Sequence, residues 1–119
     1  MKTLACLALA LLGVACSAPP NKMFEVKAIN TREEPVNCVV FVDNRPFPNA
    51  DEPALTPARL DLDFEQSSSY KVTVKPCEVD ATGRPVPDSW NIGDVRYLPS
   101  ERYVDKRDPK IQLFILDRN

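Results

Sequence analysis

The chain has no histidine. That absence removes the Ser-His and Cys-His nucleophile pairs and every imidazole-based metal site from the chemistry open to it. No excess of basic charge exists either: 15 Lys and Arg stand against 17 Asp and Glu, for a net charge of −2. Nucleic-acid binding, which needs a basic patch to neutralise phosphates, is not indicated. Glycine is scarce, with 3 residues against 12 prolines. Proline lacks an amide proton, so this balance excludes long helices and points to stiff loops and strand edges. Cys-x-x-Cys is missing, and Ser67-Ser68-Ser69 has no lysine at the Ser-x-x-Lys spacing. The apolar run Leu4 to Val14 is too short to cross a bilayer as a permanent helix.

That run carries the clearest information about place. Met1-Lys2-Thr3 is a minimal positive region, and small residues follow the apolar segment, which is the pattern of an export signal covering residues 1–15. The stretch Leu12-Gly13-Val14-Ala15-Cys16 resembles a bacterial lipobox, although Gly13 stands where the usual leucine would be. The resemblance implies cleavage before Cys16 and its lipidation, with membrane anchoring through acyl chains. Ordinary cleavage after Ala15 is the alternative, and it leaves Cys16 as an unpaired thiol in an oxidising compartment. Ser17 after the cysteine, with no aspartate there, looks like an outer-membrane sorting pattern. Residues 16–22, with Pro19-Pro20, then read as a short stiff tether.

The remainder is one all-β domain, residues 23–119, large enough for one sandwich core and not for two domains. Phe24, Val26 and Ala28 alternate with Glu25 and Lys27, the period of a half-buried strand. The run Cys38 to Val42 is apolar on both faces and predicts a central strand covered on both sides, ending in an Asp43-Asn44 turn suited to positive φ. A proline-punctuated loop spans Pro46 to Pro57. Leu60, Leu62 and Phe64 then alternate with Asp61, Asp63 and Glu65, and Tyr70, Val72 and Val74 with Lys71, Thr73 and Lys75. Acidic and basic faces in succession suggest an antiparallel hairpin with cross-strand charge pairs.

The order PVNCVVFVDNRPF, LTPARLDLDF, SYKVTVKP resembles the PEGA domain, with Asp43-Asn44 at its Asp-Gly turn, Thr56-Pro57 at its Thr-Pro and Tyr70 to Val74 as its last strand. The likeness covers Ile29 to Glu78. Val36-Asn37-Cys38 departs from the family's glycine-alanine, the loop from Pro46 to Pro53 is longer, and Gln66 to Ser69 replaces a proline-glycine turn. It implies a small immunoglobulin-like antiparallel β-sandwich that serves as a surface or interaction module. Cys38 and Cys77 would then sit on strands of one sheet or of two facing sheets. In an exported domain they are expected to form a structural disulfide, rather than a redox pair or a metal site.

Beyond Cys77 the likeness ends. Asp80 to Pro85 is a turn with Gly83 suited to positive φ, Asp94 to Leu98 a short strand, and Pro99-Ser100-Glu101 a cap for a helical turn at Glu101 to Val104. Ile111 to Leu116 is apolar on both faces, as expected of an interior or paired strand. Trp90, Arg96, Tyr97, Arg102 and Tyr103 form the candidate binding surface, with residue types common at interfaces and against sugar rings. In the alternative, Trp90 and Tyr97 plug one end of the sandwich and the arginines pair with Glu101 and Asp105.

No catalytic residue, cofactor or metal site is indicated. Asp61 and Asp63 lie on a strand's solvent face, and Asp43, Asp51 and Glu52 lack the spacing of a calcium loop. The expected function is a non-enzymatic, lipid-anchored module of the outer membrane or periplasmic surface. Its expected partner is an envelope protein, or alternatively cell-wall glycan held by the segment Trp90 to Tyr103.

Overall fold

The alternation of Phe24, Val26 and Ala28 with charged neighbours produces β1 (Asn21–Asn30), whose apolar side is buried and whose other side meets solvent. A computed structural model of the chain describes residues 21–86, 91–92 and 94–118. The signal segment and Cys16 lie outside the described residues, as does Trp90. The strand begins at Asn21, so the last two residues assigned to the tether belong to the fold.

The other strands are β2 (Cys38–Val42), β3 (Arg45–Pro46), β4 (Ala58–Asp63), β5 (Tyr70–Pro76), β6 (Asn91–Ile92), β7 (Val95–Arg96), β8 (Ser100–Val104) and β9 (Ile111–Leu116). They form a three-stranded sheet of order β4-β1-β9, a four-stranded sheet of order β3-β2-β5-β8, and a small β6-β7 ribbon. Phe24, Val26, Leu60, Leu62, Phe114 and Leu116 of the first sheet pack with Val40, Val72, Val74 and Val104 of the second in one core. The all-β class and the two-sheet arrangement agree with expectation.

Several details differ. β1 pairs antiparallel with β4 but parallel with β9, so the ladders are not all antiparallel. β4 and β5 are not a hairpin: they lie in different sheets. The rings of Phe64 and Tyr70 meet edge-on at 5.5 Å, Phe64 meets Phe24 at 6.1 Å, and the Tyr70 hydroxyl donates to the Asp63 carbonyl. This aromatic plug carries the chain across the layers, and Asp61 faces solvent beside Met23 of β1 rather than a lysine. Glu101 to Val104 is part of β8, an edge strand held by its ladder to β5, not a helical turn. On β9 only Gln112, Phe114 and Leu116 are buried; Ile111, Leu113 and Ile115 are exposed.

Local turn chemistry matches the sequence. Asp43 and Asn44 sit at φ 49° and 68°, as a two-residue hairpin turn between β2 and β3 requires. The Asp43 carboxylate also accepts the Lys71 amide at 2.9 Å. Gly83, at φ 85°, closes the turn in which Asp80 takes the amides of Thr82 and Arg84.

Candidate functional site

Strand β2 is apolar on both faces, and its two faces do different work. Cys38 and Val40 are buried in the core, whereas Val39 and Phe41 point to the opposite side of the second sheet. There they form the floor of a cavity of about 630 Å³, walled by the 46–55 and 79–86 segments. Pro46, Pro53 and Leu55 line one wall, Pro85 and Val86 the other, with Asp51, Glu52 and Arg84 also contributing.

The walls are held by backbone. Val40 donates to Ala54 O and Thr56 to Cys38 O, while Phe47 donates to Val40 O, so the proline-rich loop runs beside β2 as an irregular continuation of its pairing. Opposite it, the bridge Val79–Pro85 and the bonds Asp80 N to Arg84 O and Val86 N to Glu78 O shape the second wall. Arg84 reaches Glu52 at 3.8 Å, linking the two walls. Lys75 lies over the Phe41 ring at 4.3 Å and so covers part of the floor with its cation.

Cys77 also lines this cavity, which corrects the expected disulfide: Cys38 and Cys77 are both free thiols. Cys38 is paired in register with Pro76, and residues one apart on a strand point to opposite faces. The sheet itself therefore separates the two sulfurs. Burial, with the nearby Cys77 adding to it, pushes the Cys38 thiol up to about 12, and burial also raises Cys77. Neither is a poised nucleophile.

Among the described residues, Arg96, Tyr97, Arg102 and Tyr103 do not share one surface. Tyr97 is 7% exposed and belongs to the core, its hydroxyl accepting from Asn30 Nδ2 at 3.3 Å. Arg102 donates to Gln112 Oε1 at 2.9 Å and to Leu113 O at 3.0 Å, bracing β8 against β9 instead of pairing with Glu101 or Asp105. Arg96 is exposed on the β6-β7 ribbon, and Tyr103, 68% exposed, stands on β8. Asp105 takes Arg107 instead, at 3.2 Å. Among the described residues no group of His, Cys, Asp or Glu is placed to hold a metal ion.

The cavity went unnoticed in the sequence, although the signal was present: a strand apolar on both faces, flanked by proline-rich segments, has something to cover or to bind. Comparison of the chain with protein families, curated proteins and solved structures finds no match.

Proposed function

We propose that the protein is a non-enzymatic interaction module of the bacterial cell envelope, held to a membrane through a lipidated Cys16, and that the β2 cavity is its contact surface. The observation that carries the reading is the placement of that cavity. β1 starts at one end of the sandwich, beside Asp63, Tyr70 and the 105–110 loop. The cavity is built toward the other end, around Val39 and Cys77. A chain anchored at Cys16 would thus present the cavity away from its attachment. Apolar floor, rigid proline walls and a charged pair are the means by which a small module fixes an apolar side chain and orients a polar neighbour. The PEGA-like motif order supports an immunoglobulin-like module of this kind.

Photo-cross-linking in the cell tests it. A benzophenone side chain at Val86 is expected to capture an envelope protein, and one at Arg59 on the far sheet to capture none. Equal yields from both positions, or capture that survives filling the cavity by Val39→Trp, would remove the cavity from the function. The glycan reading loses Tyr97, which is buried. Retention of the protein on purified cell wall, unchanged by Val39→Trp but lost with Trp90→Ala, would restore it.

A further inference from the structure

The outer face of the first sheet carries an apolar stripe that the cavity does not use. Ile111, Leu113 and Ile115 alternate along β9 and are 57%, 40% and 57% exposed. A strand with one face on a core ordinarily places polar residues on the other. The stripe occupies one margin of its sheet. The charged residues of this face, Arg59 and Asp61, lie on β4 at the opposite margin, and Glu25 and Lys27 of the intervening β1 pair with each other at 3.6 Å.

We infer that this β9 margin lies on the surface of the membrane that holds the anchor, so that the domain is oriented as well as tethered. The inference rests on the anchoring reading above. Three relationships support it. From Cys16 to Asn21 the chain can span at most about 18 Å, which keeps the start of β1 at the bilayer. β9 runs parallel to β1 and beside it, with Ile111 level with Glu25, so the stripe starts about 13 Å along β1 from Asn21 and continues the face that Met23 opens. Exposed Met23 precedes it on the same face of β1.

Lys110 and Arg118 are exposed at the two ends of β9, at positions that alternate with the stripe, and leave its aliphatic side chains uncovered. A second copy adding a strand to β9 is disfavoured, because the Leu113 carbonyl is occupied by Arg102 and the Asp117–Arg118 segment is paired with Tyr97 and Leu98. Three part-exposed aliphatics would hold a free protein on lipid only weakly. On an anchored one they need only choose which side faces down, because the anchor raises the local concentration.

The test uses the full chain, expressed with its own N-terminus, metabolically labelled with a clickable fatty acid and reconstituted in phosphatidylethanolamine–phosphatidylglycerol vesicles. A nitroxide is placed at Ile115→Cys or, on the opposite sheet, at Glu101→Cys; both native positions are on strand faces turned from the core. The expected result is a several-fold higher ratio of oxygen to water-soluble nickel collisions at position 115 than at 101. Equal, aqueous values at both positions in an acylated sample would overturn the orientation and leave the anchor standing. Spin–spin broadening at 115 that disappears on dilution in the vesicles would assign the stripe to a second copy. Absence of acyl label would bring down the anchor, and the orientation with it.

Discussion

Arg102 on β8 spans the gap to β9: its Nη2 donates to the Leu113 carbonyl at 3.0 Å while its guanidinium carbon stands 4.5 Å from the centre of the Phe114 ring. β8 and β9 share no ladder, and the Arg102 side chain bridges them. Arg102→Ala removes two charge-assisted hydrogen bonds and the ring contact together. The expected loss is about 2–3 kcal/mol in urea unfolding, and Arg102→Lys should recover only part, since a lysine cannot donate from a planar fork.

Two buried threonines make a contrasting pair. Thr56 Oγ1 accepts the Cys38 amide at 3.1 Å and donates to the Val36 carbonyl at 2.9 Å, so Thr56→Val leaves both backbone groups unsatisfied. It is expected to cost about 2 kcal/mol. Thr73 Oγ1 is buried with no hydrogen-bond partner among the described residues. Thr73→Val should therefore be neutral or stabilising by up to about 1 kcal/mol, because it removes a desolvated hydroxyl at constant shape. Thermal melts should show a lowered midpoint for Thr56→Val and an unchanged or raised one for Thr73→Val.

The free thiols give a chemical prediction. With Cys38 at about 12, only about one molecule in ten thousand carries its thiolate at pH 8. Alkylation at Cys38 and Cys77, mapped by mass spectrometry, should be slow in the native protein and fast in denaturant, and reduction should add no hydrogens at this pair.

Alkaline stability follows from the same burial. The folded pKa of Cys38 lies above the ordinary 9.0, so its contribution is complete below pH 9 and is lost as pH rises toward 12. Cys38→Ala should flatten the fall in melting temperature across that window, though it lowers stability at neutral pH by leaving a small void.

The β2-β3 turn supplies a fifth. Asn44 occupies the left-handed region at φ 68°, where a Cβ without a polar side chain is strained. Asn44→Ala is expected to cost about 1 kcal/mol, and Asn44→Gly to be neutral or better, as read from urea midpoints.

Strand positions were legible wherever charge alternated with apolar residues. Leu60 and Leu62 point inward because Asp61 and Asp63 cannot, and the faces of β1 follow from Glu25 and Lys27 in the same way. Pairing was not legible, since alternation reports which face of a strand is buried and nothing about its neighbour. The six-residue link from Phe64 to Ser69 suits a hairpin, but Phe64 and Tyr70 meet at the end of the sandwich and take the chain to the other sheet. β9 hid its exposed face because both of its faces carry large apolar residues. The cysteines misled through parity: one residue of offset in register sends one sulfur to the core and the other to the cavity. Tyr97 and Arg102 have residue types favoured both at interfaces and in cores, and only their packing decides.

Strand β1, which receives the chain from the N-terminal segment, is the middle strand of its sheet, with a ladder on each side. A pull along the chain at that end is applied lengthwise to β1. It cannot peel away one hydrogen bond at a time as an edge strand could; it must slide past β4 and β9 together, loading two ladders in shear. Lys22, whose ammonium donates to the carbonyls of Lys106 and Asp108, adds a clasp at the first point to feel the load. The sheet that bears the cavity shares no ladder with this one and meets it through the packed core and a few side-chain bonds such as those of Arg102 and Tyr70, so tension on the N-terminus is taken up before it reaches the walls at Pro53 and Pro85.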